Sequence, residues 1–289
     1  MKSVLRMVDM KEQGHPNRFN MNDPDVVSVI DEVPLWSAPF GMKLLETVRL
    51  RGVSRALDVG CGLGFPLLEL AMRLGAEAKV YGIDPWKEAI ERARMKAHVM
   101  GIGNVEIYEG VAEDLPFDDG FLDLVVSNNG INNVLDLPKA LKEIGRVSKA
   151  GAQFVATMNT DGTMIEFYDV FEAVLRENNM TAEISKMKEH IRHKRPALDD
   201  INQLIMDVGF KISGVHDGDF SLNYADGTAM LNHFLIRLAF LEEWKKIIPA
   251  DENDTVFNEI ERHLNLLAKK KDGLCLTVPF VVIDCFRKG

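Results

Sequence analysis

The apolar and polar positions alternate between two kinds of segment through most of the chain. Residues 55–60, Arg-Ala-Leu-Asp-Val-Gly, carry little alternation and are apolar apart from Arg55 and Asp58, as a strand buried on both faces of a parallel sheet should be. Gly60, Cys61, Gly62, Leu63 and Gly64 break that run, and apolar residues then recur at helical spacing in Phe65, Leu68, Ala71, Met72 and Leu74 before Gly75. The prediction is strand, glycine turn, helix. The unit repeats with a second strand over Val80–Asp84 and a helix from about Pro85 to Met100, whose inner face carries Ala89, Ile90, Ala93 and Ala97. VEIYEG and FLDLVVSNNG read as the third and fourth strands. A helix opened by Pro138 is expected to end near Gly151, and AQFVATMN follows as the fifth strand. LDDINQLIMDVGFKISGV gives a helix, a Gly209 stop and a sixth strand, and LTVPFVVIDCF gives a last one. Pro279 is expected at the start of that strand, because it cannot donate a ladder hydrogen bond from the middle.

Three stretches depart from the alternation. The first twenty residues are polar without a period and are expected to be partly mobile. From Asp23 to Leu50 the chain turns apolar, with a predicted helix from about Met42 to Leu50, and Pro34 and Pro39 bracket Trp36 in extended or turn geometry. Residues 161–195 carry two amphipathic helices, and residues 226–270 two long helical patterns divided at Pro249. The domain reading is an N-terminal helical lid segment over 1–50 and one large domain over 51–289, with helical insertions at about 161–195 and 226–270. His190 and His193 lie three apart on the second helix of the first insertion. Their neighbours Lys186, Lys188, Arg192, Lys194 and Arg195 make them part of a solvated basic face, and no metal site is predicted.

Composition narrows the function. With 34 basic and 44 acidic residues among 289, the net charge is −10 and no basic stripe forms, which argues against a nucleic-acid partner. The three cysteines Cys61, Cys275 and Cys285 have neither metal-ligand spacing nor an even count, which fits a reducing, cytoplasmic setting. No membrane span is expected, since nowhere do eighteen uninterrupted apolar residues occur.

The glycine turn carries the chemistry. Glycines at alternate positions let the backbone turn sharply and let a ligand lie against it. A dinucleotide fingerprint needs Gly-x-Gly-x-x-Gly, and here Phe65 stands where the third glycine should be, which argues against NAD or FAD. Asp84, at the end of the second strand, can accept hydrogen bonds from both hydroxyls of a ribose, or can cap the helix beginning at Trp86.

Asp58 followed by Gly60, Gly62 and Gly64 resembles the first motif of the class I S-adenosylmethionine-dependent methyltransferases, and Ala112-Glu113-Asp114-Leu115-Pro116-Phe117 resembles a later one. The resemblance spans roughly 54–159, 198–215 and the final strand, and is nearest the branch that includes quinone-biosynthesis methyltransferases. It implies an α/β, Rossmann-like fold: a seven-stranded, mostly parallel sheet with an antiparallel last strand, helices on both faces and helical lid insertions. It implies S-adenosylmethionine as cofactor, held by Asp58, Gly60, Cys61, Gly62, Gly64, Asp84, Pro85, Ala112, Glu113 and Asn128. Within that set Glu113 would take the exocyclic amine of the adenine and the Ala112 amide a ring nitrogen.

The partner so implied is a small-molecule methyl acceptor. Trp36, Phe40, Asn129 and Asn132 are its candidate contacts, and His216 and Tyr224 the candidate bases. The apolar insertions favour an aromatic or lipophilic acceptor, and the same surfaces are compatible with a homodimer. A protein that binds the cofactor without turnover, or a nucleic-acid or protein methyltransferase, are the alternative readings.

Overall fold

The computed structural model describes residues 19–33 and 35–289. The expectation of mobility for the N-terminus therefore falls, up to residue 18, outside the described residues, as does Pro34. In chain order the elements are α1 (Pro24–Glu32), α2 (Ser37–Thr47), β1 (Arg55–Val59), α3 (Leu67–Leu74), β2 (Lys79–Asp84), α4 (Lys87–Val99), β3 (Val105–Glu109), β4 (Leu122–Asn128), α5 (Leu137–Val147) and β5 (Ser148–Asn159). Then follow α6 (Ile165–Glu177), α7 (Thr181–Lys194), α8 (Leu198–Asp207), β6 (Phe210–Tyr224), α9 (Gly227–Asn232), α10 (Phe234–Ala239), α11 (Leu241–Lys245), α12 (Asn253–Lys271) and β7 (Leu274–Arg287).

The seven strands form one sheet in the order β3-β2-β1-β4-β5-β7-β6. The pairs β1–β2, β1–β4, β2–β3 and β4–β5 are parallel, and β7 runs antiparallel to both β5 and β6. Apolar clusters cover both faces. On one, Leu141 and Ile144 of α5 and Ile201 and Ile205 of α8 pack against Leu57, Val125 and Phe154. On the other, Leu44 of α2, Leu67 and Leu70 of α3 and Ile90 of α4 meet Ala56, Val80, Leu124 and Val155. The near-continuous apolar runs of β1 and β4 are thereby buried on both sides, which is why they do not alternate.

A third cluster lies beyond the sheet. β6 and β7 pair from Phe210↔Arg287 to Tyr224↔Leu274, well past the end of β5, and this two-stranded ribbon carries α6, α9 and α12. Phe167, Phe171, Trp244, Ile260 and Leu264 are buried there together. Most apolar residues of the two insertions thus face one another, forming a helical cap.

Several boundaries differ from the sequence expectation. Helix α2 begins at Ser37, so Pro39 lies in its first turn, where no N–H is required. The first long pattern of 226–270 is broken into α9, α10 and α11. At helical spacing Met230, Phe234, Leu238 and Trp244 fall toward one side, so a single straight helix could not send Met230 and Trp244 into the cap cluster while turning Phe234 and Leu238 toward a cavity. Strand β5 starts at Ser148 without the interval expected before Ala152. Pro279 sits inside β7, opposite Asp219. Its ring nitrogen faces the β5 side, where that ladder ends at Asn159↔Phe280, and its carbonyl accepts from the Thr160 amide at 3.0 Å. No donor is missed at that position.

Candidate active site

The turn after β1 is held open by positive φ angles at Gly60 (77°), Gly62 (47°) and Gly64 (96°), values that side-chain-bearing residues rarely adopt. A Cβ on Gly60 would stand 3.0 Å from the Gly130 Cα, so this turn and the one after β4 approach backbone to backbone. The turn is fastened to β2: Gly60 and Cys61 donate to the Ile83 carbonyl at 2.9 and 3.2 Å. Asp84 completes the fastening. Its Oδ2 accepts from the Gly62 amide at 2.9 Å and its Oδ1 from the Trp86 amide at 2.8 Å. Burial raises the Asp84 carboxyl above its ordinary range, and these two amides offset part of that.

Asp58 lies beneath the turn, fully buried, with no hydrogen-bond partner for either oxygen among the described residues. Burial first, and then the Asp84 charge, push its pKa up to about 8; the nearby Leu67 amide opposes this without closing a hydrogen bond. A buried carboxylate without a partner is costly. Its desolvation would be offset by a cation placed on the turn above it. Cys61 is buried against Gly82, and burial holds its thiol well above its ordinary range.

Above the turn lies a cavity of about 440 Å³, within the range of small-molecule sites. Gly60, Cys61, Gly62, Leu63, Phe65, Trp86 and Asn128 line its floor. Its roof comes from Ile30 and Asp31 of α1, Trp36 and Ser37 at the start of α2, and Phe234, Leu235 and Leu238 of α10. Asp31 ties α1 to α4 through Arg92 at 2.8 Å and Lys96 at 2.5 Å. The Trp86 indole donates to the Met21 carbonyl at 3.0 Å. Asn128 fixes the start of α2, donating to the Ser37 carbonyl at 3.0 Å while it accepts from the Thr157 hydroxyl at 3.0 Å.

A second cavity of about 300 Å³ adjoins the first, and Trp36 and Ala239 belong to both walls. Its floor is an amide network at the carboxyl ends of β4 and β5. Asn132 Nδ2 donates to Asn129 Oδ1 at 2.6 Å and to Asn159 Oδ1 at 3.1 Å, leaving Asn132 Oδ1 buried without a partner among the described residues. The opposite wall comes from the cap: Tyr168 of α6, His190 and Lys194 of α7, Arg195, and Phe240, Glu243 and Trp244. The Trp244 indole donates to the Tyr168 hydroxyl at 3.0 Å, so that hydroxyl keeps its own proton for another acceptor. Burial and the charges of Arg195 and Lys194 lower the His190 pKa, outweighing Glu243. His190 is therefore neutral near pH 7.

The structure gathers Gly60, Cys61, Gly62 and Asn128 on the first cavity, with Asp84 and Asp58 behind its floor. Asn129 and Asn132 line the second cavity, and Trp36 lines both. Other candidates stand apart. Phe40 is fully buried between Phe220 and Phe280, with ring centroids 5.4 and 4.8 Å away. Pro85 and Gly64 line neither cavity, and Ala112 is a buried core residue. Glu113 Oε1 accepts from the Leu135 and Asp136 amides at 2.8 and 3.0 Å, so this carboxylate braces the loop before α5. His216 is exposed on the edge strand β6. Tyr224 lines a different cavity with Glu166 and Lys271, where burial pushes its pKa up to about 12. Sequence reasoning missed His190, Arg195 and Tyr168 as site residues. In sequence they belong to amphipathic helices, and only the cap's placement turns them inward.

A glycine turn under a cavity at the carboxyl edge of a sheet with this strand order and one reversed strand defines a class I methyltransferase domain. Residues 52–213 match the methyltransferase-domain family, and the chain belongs to it. It is similar to the demethylmenaquinone methyltransferase of Geobacillus kaustophilus, 33% identical over 128 residues, which are 44% of this chain and 55% of that protein. The chain thus spans about half the length of the curated relatives it matches. Among solved structures, a SAM-dependent methyltransferase from Aquifex aeolicus superposes with a TM-score of 0.51 at 22% identity, covering 67% of this chain and 91% of that one. A geranyl diphosphate methyltransferase in complex with SAM superposes with a TM-score of 0.54 at 17% identity, covering 95% and 93%. At these identities the superpositions concern the fold alone.

Proposed function

We propose that the chain transfers a methyl group from S-adenosylmethionine to a small organic acceptor, with the cofactor on the glycine turn and the acceptor in the adjoining polar cavity. The observation that carries this reading is the shared wall. A cavity floored by Gly60 and Gly62 meets a second, polar cavity across Trp36, as two reactants need if they are to meet away from water. The residues fit the cofactor: Gly60 and Gly62 leave backbone surface free of Cβ atoms, Asp84 stands at the end of β2 for the ribose, and unpartnered Asp58 offers negative charge beneath a cation.

When bound, S-adenosylmethionine supplies an activated methyl group on a good leaving group. The protein's part is then alignment and exclusion of water. Trp36, held among Phe40, Phe220 and Phe240, forms a rigid partition beside which the acceptor is positioned. Asn129 and Asn132 orient the acceptor but are poor bases. His190, neutral near pH 7 and on the cavity wall, is the better candidate to take a proton from it. The roof of α1, α2 and α10 acts as a lid.

The match to demethylmenaquinone methyltransferases favours a small-molecule acceptor. Calorimetric titration with S-adenosylmethionine, S-adenosylhomocysteine and NAD tests the cofactor assignment. Micromolar binding of the first two and none of NAD is expected, and absence of binding by both adenosyl ligands would sink the reading.

A further inference from the structure

Resting on this assignment of the two cavities, we infer that the acceptor carries an oxyanion, a carboxylate or a phosphate, held by the buried guanidinium of Arg195 with Lys194 and His190 beside it. Arg195 closes α7 and is only 6% exposed, yet among the described residues neither its Nε nor its Nη1 has a hydrogen-bond partner. Its guanidinium carbon lies 5.4 Å from the centre of the Tyr168 ring, a stacking contact that leaves its donor edge free. Arginine keeps its charge when buried, so a side chain in this state is expensive unless an anion completes it.

The surroundings do not supply that anion. Glu243 is the carboxylate on the cavity wall, and it is engaged by Lys246 at 2.5 Å. Against it stand the charges of Arg195 and Lys194, with the His190 ring beside them. The Tyr168 hydroxyl adds a donor, and the open Asn132 Oδ1 on the facing wall asks for a donor on the ligand. The complement of this set is a compact molecule with an oxyanion at its cap end and a hydroxyl or amine at its sheet end. That differs from the lipophilic acceptor suggested by the apolar insertions, whose apolar residues are spent on the cap's own core.

The test is calorimetry with benzoate, phenyl phosphate, inorganic phosphate and benzyl alcohol, on the protein alone and saturated with S-adenosylhomocysteine. Benzoate or phenyl phosphate should bind, the tighter naming the oxyanion, and benzyl alcohol should bind at least tenfold more weakly. Arg195→Gln should weaken the anion at least tenfold, and Arg195→Lys should restore part of the loss. Both variants should keep S-adenosylhomocysteine affinity within twofold of the parent, which also reports that they are folded. Anion binding unchanged in Arg195→Gln, benzyl alcohol equal to benzoate, or no anion bound in either state overturns the inference. Inorganic phosphate binding as tightly as phenyl phosphate overturns the acceptor assignment. Anions that bind through Arg195 while S-adenosylhomocysteine does not would uphold the anion site and refute the cofactor assignment alone.

Discussion

The two adjoining cavities are built in opposite ways. The first takes its floor largely from one stretch, Gly60 to Phe65, with Asp84 arriving from the neighbouring strand in parallel register, Asp58↔Gly82 and Val59↔Ile83. The second has no such core. Its wall is collected from the start of α2, the ends of β4 and β5, four cap helices and the residue after α7. The first is dominated by backbone and apolar side chains, the second by amides and cations. A cradle made of backbone depends on the strand-turn-helix geometry that all βα units share, whereas a cradle made of distant side chains can change one residue at a time. On the proposed assignment, the cofactor side is thereby constrained by the fold, and the acceptor side is free to specialise.

The largest expected separation of the two comes from Asp84→Ala. It removes the acceptor for both the Gly62 and Trp86 amides, so cofactor affinity should fall about a hundredfold by calorimetry, near 3 kcal/mol, while benzoate binding changes little. Trp36→Ala should do the reverse and couple the cavities. Loss of its packing against Phe40, Phe220 and Phe240 should cost about 3 kcal/mol in urea unfolding and weaken both ligands together.

The pH dependence of cofactor binding tests Asp58. Its folded pKa of about 8 stands above the ordinary 3.8, so its contribution to stability is full below about pH 4 and is lost as pH rises through 8. A cationic ligand on the turn reverses this preference by favouring the charged form. Affinity should therefore rise about tenfold from pH 6 toward pH 8 and then level, and Asp58→Asn should flatten the curve; a flat parent curve would remove Asp58 from the site. Smallest of all, Asp31→Ala should cost about 1 kcal/mol, since it breaks partly exposed ion pairs to Arg92 and Lys96. Faster proteolysis within α1, slowed again by S-adenosylhomocysteine, would place α1 in the lid.

The difference in construction also decides what could be read in the sequence. The arrangement of the sheet and its reversed last strand came only with the resemblance to the methyltransferase family, whereas the individual strands and the glycine turn were legible because each is written in contiguous residues with period and punctuation. Asp84 was legible for the same reason, and it proved to serve the helix start and the turn at once. Arg195 was not. It follows a run of charged residues on α7 and has the local look of a solvated face; its burial is imposed by Tyr168 and the rest of the cap. The bracing role of Glu113 was equally hidden, since the amides that engage it lie over twenty residues away. The breaks between α9, α10 and α11 escaped because helical periodicity continues across them, and only competition between two burial sites cuts the helix.

The place of β7 has a consequence for how the molecule is made. Of the seven strands it is the last in chain order, yet it lies inside the sheet between β5 and β6. During synthesis β1 to β5 can pair in order, but β6 has no neighbour until β7 arrives, and the cap borne by their ribbon has no support before then. A nascent chain thus completes its glycine turn early and acquires the wall bearing Arg195 only at the end. Chains lacking β7 would keep the glycine turn but lose both the α10 roof over the first cavity and the cap wall of the second.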